Sequence, residues 1–147
     1  MKCYSLVGTS ASGTADKTAV AAIGSTAVRP MVYYISCGVA DTPADYSVVM
    51  RAINFTASGT GTAQTPQPLL MGDIAAICTA SVAHSAEPTY GTVFMLSIPF
   101  NSRGTLQWYA PSGGELVGAL AADDGIGVKM FAASTAVTMT STVHFRE

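Results

Sequence analysis

The feature that most restricts what this chain can fold into is its punctuation. Short apolar runs recur along most of its length, and clusters of Gly, Pro, Asn, Asp and Ser separate them. The run Pro30–Cys37 is rich in β-branched and aromatic residues and stops at Gly38, with proline at the first position of a strand, where it is tolerated. The segment Val137–Phe145 alternates: Val137, Met139, Ser141, Val143 and Phe145 fall on one face, and Thr138, Thr140, Thr142 and His144 on the other. Successive side chains of a strand point to opposite sides, so this segment reads as half-buried β. Further strands are expected over Lys2–Val7, Tyr46–Phe55, Ile77–Val82, Thr92–Ile98, Thr105–Tyr109, Glu115–Val117 and Ile126–Phe131. Strands at intervals of about 8 to 12 residues with turn signals between them mean a sandwich or barrel. The expected fold is an all-β, antiparallel β-sandwich or jelly roll, and residues 1–147 form one domain.

One stretch breaks the pattern. Residues 56–76, and Ser58–Ala76 above all, are rich in Gly, Thr and Pro and carry no ionised side chain before Asp73. That composition opposes a regular helix or a central strand, so a long irregular loop is expected. Loops of this length in compact domains are functional or disordered. Pro66-Gln67-Pro68 preforms an extended backbone, and Thr62, Gln64, Pro66, Pro68, Leu69, Leu70 and Met71 are the candidate residues for contact with a partner or a neighbouring subunit. At the other end, residues 1–29 read as a first strand followed by an arm. Thr9–Thr18 is a Ser/Thr/Gly/Ala segment with little to pack and is a second candidate contact, while Ala19–Ile23 is apolar but short.

Composition bears on partners. Charged residues are 11% of the chain, against about 25% in typical domains. A surface so poor in charge associates readily, which implies that partners cover much of it. The strand Tyr46–Phe55 agrees, since neither of its faces is cleanly polar; a second sheet is expected on one side and a neighbour on the other. The net charge of −2 leaves no excess of cations to neutralise phosphates, which argues against nucleic acid. No apolar run approaches the ~20 residues that span a bilayer, and the run beginning at Met1 breaks at Gly8, too early for a secretory segment. Cys3, Cys37 and Cys78 are odd in number with no CxxC spacing. They are expected as reduced thiols, without zinc or disulfide, as in a reducing cytoplasm.

No catalytic constellation emerges. His84 and His144 fall on different expected elements, and no G-x-S-x-G elbow accompanies them. The carboxylate pairs Asp41 with Asp45 and Asp123 with Asp124 lack the calcium-loop spacing. Gly59-Thr60-Gly61 has neither the third Gly nor the Lys of a phosphate loop. Trp108 shares a face with Leu106 and is expected in the core, with Tyr109 on the opposite face. The expectation is a non-enzymatic chain without cofactor or metal.

Several elements in order do carry a resemblance: the S-G-T-G-T-A-x-T-P-x-P-L stretch at 58–69 with Gly72-Asp73-Ile74-Ala75-Ala76 after it; Ile98–Gly104 leading to Gln107-Trp108-Tyr109; Pro111–Val117; Gly125-Ile126-Gly127-Val128; and the closing Val143–Glu147. Over residues 30–147 the chain resembles the jelly-roll decoration, or cement, proteins of tailed double-stranded DNA phages. The loop departs from that pattern at Leu70-Met71-Gly72-Asp73-Ile74, where related sequences carry an Asp-Pro-rich continuation. The resemblance implies a structural virion protein, assembled in the host cytoplasm. It would sit on the capsid surface as a homotrimer and bridge neighbouring major capsid protein subunits. The alternative is a receptor- or glycan-binding jelly roll of a tail fibre or baseplate.

Overall fold

The computed structural model describes residues 1–13, 16–40, 45–132 and 135–147. Thirteen strands run through them: β1 (Cys3–Thr9), β2 (Lys17–Ile23), β3 (Met31–Val39), β4 (Ser47–Ala57), β5 (Thr60–Gln64), β6 (Gln67–Pro68), β7 (Thr79–Ala86), β8 (Thr89–Tyr90), β9 (Leu96–Asn101), β10 (Thr105–Tyr109), β11 (Leu116–Val117), β12 (Gly125–Ala132) and β13 (Met139–Arg146). Eight of them pair as nested couples, all antiparallel: β4 with β9, β3 with β10, β2 with β12 and β1 with β13. Nesting of this kind is one long hairpin wound upon itself, the jelly-roll path.

The first sheet runs β10-β3-β13-β1-β6, with β11 also on β3; the second runs β5-β7-β2-β12-β4-β8, with β9 also on β4. The inner faces meet in one core, to which β1, β3 and β13 contribute Tyr4, Leu6, Ile35, Val143 and Phe145, and β2, β4 and β12 contribute Val20, Met50, Ile126, Val128 and Met130. Tyr4 and Phe145 stack across neighbouring strands with centroids 5.5 Å apart. The alternation read in the last strand holds: Met139, Ser141, Val143 and Phe145 are buried. Ser141 is a polar group in that row, and it accepts a hydrogen bond from the Cys37 thiol at 3.3 Å.

Four expectations need correction. The stretch 56–76 is not irregular throughout, because Thr60–Gln64 forms β5 and Gln67–Pro68 forms β6. Both are outermost strands, which need partners on one side alone, so Gly and Pro are admitted there. The strand expected at Ile77–Val82 lies at Thr79–Ala86 instead. The strand expected to end before Pro99 runs from Leu96 through Pro99 to Asn101, and β9 too is an edge strand. The apolar stretch Ala19–Ile23 belongs to β2, a central strand between β7 and β12. Its small side chains permit close approach: a Cβ on Gly8 of β1 would come within 2.3 Å of the Ala19 carbonyl oxygen.

Part of the expected arm is also paired backbone, since Ser10 and Gly13 bond to Met139 and Val137, and Thr18 is buried in β2. Arm positions 14–15 and turn positions 41–44 lie outside the described residues.

The second face of β4 is covered in part by its own chain. Residues between β7 and β9 fold over the outside of the second sheet, where Tyr90 sits edge-on to Phe55 at 6.0 Å and the Arg51 guanidinium lies 4.6 Å from the Phe94 ring and 4.7 Å from that of Phe131. Tyr90 is seated directly on Gly127, where a Cβ would stand 2.2 Å from the phenol oxygen. Gly127→Ala therefore displaces Tyr90, and overpacking of this type costs about 1–3 kcal/mol. Urea unfolding should show a loss in that range, and a variant of wild-type stability would contradict this seating.

Candidate docking surfaces

Between β6 and β7 the chain makes an apolar turn tethered from below. Leu69 N–H donates to the Cys3 carbonyl at 2.9 Å, and the Tyr4 hydroxyl donates to the Ile74 carbonyl at 3.2 Å. Lys2 and Asp73 form an ion pair at 3.2 Å. At the far end the Glu147 carboxylate accepts from the N–H groups of Ile77 and Cys78, each at 2.8 Å. Gly72 turns the backbone with φ +94°, a left-handed conformation for which glycine is suited. The apolar side chains on this frame point into solvent: Leu70 is 68% exposed, Met71 98% and Ile74 63%. Burying such groups in a partner is worth about 25 cal/mol per Å², so the turn is a candidate contact whose geometry is set before any partner arrives.

The seven residues expected at the contact divide into two groups. Gln64, Pro66 and Pro68 act as anchors: the Gln64 amide donates to the Val7 carbonyl at 2.7 Å, Pro66 is buried, and Pro68 pairs with Tyr4 in the β1 ladder. Leu69, Leu70 and Met71 form the exposed crest, and Thr62 lies exposed on β5, away from that crest in sequence and in pairing. Ile74 and Ile77, both exposed, belong to the same turn and were not among the expected residues. Their apolar character is visible in the sequence, where Ile77 reads as the first residue of a strand.

A second surface is the outer face of the first sheet. Strand register places Gln67, Ser5, His144, Tyr34 and Tyr109 in one row across five strands. The next row holds Val7, Thr142, Ser36 and Gln107. A bulge between His144 and Phe145 lets Tyr33 join the same side. Tyr34 packs on Tyr109 at 4.6 Å and on His144 at 4.8 Å. Trp108 faces the other way and packs, half-buried, against the core, as its pairing with Leu106 implied. A groove of about 410 Å³ runs along the β1 side, lined by Ser5, Val7, Gln64 and Gln67 among others.

Two polar clusters remain. On β7 the Ser81 hydroxyl and His84 Nε2 lie 2.9 Å apart. A strand would place residues three apart on opposite faces, but Ala83 adopts φ +49° and brings them together. His84 is 5% exposed and Ser81 7%, Nδ1 has no hydrogen-bond partner, and the ring lies against the backbone of Gly61. The pair is enclosed between β7 and the Gly61 backbone of β5. The other cluster fastens residues 87–90 to the second sheet. Thr18 hydrogen-bonds the Glu87 carboxylate and the Tyr90 hydroxyl, the latter at 2.6 Å. Lys129 lies 4.2 Å from the Tyr90 ring centre and 3.3 Å from Asp16, which also pairs with Arg51 at 3.0 Å. Lys129 is 6% exposed, so its charge requires this pairing.

Among the described residues no group of three or more His, Cys, Asp or Glu is placed to hold a metal ion. Cys37 and Cys78 are buried free thiols, and burial pushes them up to about 11 and about 12. No protein-family model matches the chain, and searches of curated proteins and of solved structures return no significant match.

Burial lowers the pKa of both His84 and His144 below the ordinary value of 6.5. The unfolded chain therefore takes up these protons first as the pH falls. Their linkage leaves stability intact above about pH 6.5 and erodes it from there down to the folded-state values. Urea unfolding between pH 8 and 5 should show a steeper decline for the wild type than for His84→Gln. Parallel curves would remove His84 from this account.

Proposed function

We propose that this chain is a structural virion protein that docks on the outside of a phage capsid, bridging neighbouring major capsid subunits through the turn at Leu69–Ile77. The observation that carries the reading is the tethered apolar turn itself. Its crest is exposed while four hydrogen bonds and one ion pair tie the turn and the following Cys78 to residues 2–4 and to Glu147. Order of this kind removes much of the conformational cost of association. The scarcity of charge agrees, and so does the resemblance carried by the loop at 58–69 and the segments that follow it.

The mechanism is mechanical. A protein that binds only the closed arrangement of capsid subunits stabilises that arrangement by mass action. Three copies held together, as the resemblance implies, engage several capsid subunits at once, and avidity multiplies modest contacts. The glycan-binding alternative loses its strongest residue, because Trp108 faces the core.

Leu70→Asp with Met71→Asp tests the docking. Both side chains are exposed, so stability should stay within about 0.5 kcal/mol of wild type. Occupancy on purified heads, read from the stoichiometry of bound protein, should fall at least tenfold. Unchanged occupancy would overturn the proposal.

A further inference from the structure

We propose that the outer face of the first sheet is the surface on which copies of this chain meet one another. The inference rests on the reading that copies associate, and it assigns the place. The two sheets of the sandwich are treated differently by the fold. On the outside of the second sheet Tyr90 packs on Phe55 and the Arg51 guanidinium lies over Phe94, whereas in the first sheet Tyr109 is 65% exposed and Tyr34 and His144 are half-exposed.

Charge singles out the occupant. The chain has seven Lys and Arg and nine Asp and Glu, yet among the outward positions of β1, β3, β6, β10, β11 and β13 the one charged residue is Arg146, which is paired with Glu115. An ordinary solvent-facing surface is about 25–35% charged. Recognition of a foreign partner commonly uses complementary charge. Symmetric contacts between copies bring like groups close together around the axis, where like charges repel, so a face without net charge suits self-association. Tyrosines supply large contact area with little side-chain freedom to lose, and aromatic enrichment with charge depletion marks the core of interfaces.

The size also fits. The five strands β10, β3, β13, β1 and β6 hold 5, 9, 8, 7 and 2 residues, and at about 4.8 Å between strands and about 3.3 Å per residue they make a face of roughly 490 Å² in projection. Side-chain relief raises the accessible area toward the ~800 Å² that each partner gives to a standard interface.

Sedimentation equilibrium of the full chain across about 1–100 µM tests the assignment, with Gln107→Lys/Thr142→Lys placing cations on the face and Ser97→Lys, at an exposed position of β9 in the second sheet, as control. The wild type and Ser97→Lys should sediment as a multiple of 15.0 kDa. The double variant should associate at least tenfold more weakly, with unchanged circular dichroism. If it fails to fold, Tyr109→Arg, at a position 65% exposed, replaces it with the same expectation. A multimer that ignores the face variants but dissociates on Leu70→Asp/Met71→Asp overturns the assignment and leaves association standing. A wild type monomeric throughout overturns both, and if its tyrosine fluorescence responds to added oligosaccharide the face is a sugar platform instead. Docking on heads is read separately, so its failure is distinguishable from either.

Discussion

The antiparallel ladder between β1 and β13 pairs Cys3 with Arg146 and Thr9 with Thr140, and so joins the first and last strands side by side. The Thr9 and Thr140 hydroxyls that meet across it are 131 residues apart in sequence. Closing so long a loop costs conformational entropy, and the cost grows only slowly with length. Once this outermost couple is formed, the other three nest inside it. The same ladder places Lys2, the Cys3 carbonyl, Tyr4 and Glu147 where they tether the apolar turn. The candidate contact thus depends on the joining of β1 with β13.

The segment between β4 and β9 does three separate jobs. Its β6 extends the first sheet at β1, while β7 and β5 extend the second at β2, so one open side of the sandwich gains strands on both sheets. Exposed strand edges invite pairing between molecules, and β5 and β6 leave shorter edges than β1 and β2 would. Its later residues cover the outside of the second sheet, where Lys129, Asp16, Arg51 and Glu87 balance their charges in a half-buried network. Between these parts it raises the turn at Leu69–Ile77. The turn gathers Leu69, Leu70, Met71, Ile74 and Ile77 into one exposed apolar crest.

Much of the framework was legible because periodicity of two is a strong signal wherever one face is buried. Val137–Phe145 showed it, and so did the opposition of Leu106 and Trp108 to Gln107 and Tyr109. The central strand β2 was not legible. Its Ala19, Ala21 and Ala22 are too small to set up a contrast between faces, and they are buried because β7, β12 and β1 close upon them. The strand character of Thr60–Gln64 was hidden for a related reason, since an edge strand accepts residues that a central strand rejects. At the candidate contact, Leu69, Leu70 and Met71 stood out as apolar residues in a Gly/Pro-rich stretch, but nothing local distinguished them from the anchors Gln64, Pro66 and Pro68. That distinction needed the backbone bonds to β1.

By itself the amino-acid sequence determined the class of the fold, the short strands and their turns, the inward row of the last strand, and the existence of an unusual apolar stretch after Pro68. These follow from local stereochemistry and from the period of side chains along a strand. Tertiary structure alone decided which strands became neighbours, that the long stretch would build both sheet edges and a cover, and that one sheet face would stay bare beside a tethered turn. Those outcomes rest on contacts between residues far apart in sequence, and no local pattern encodes which distant backbone will supply the partner.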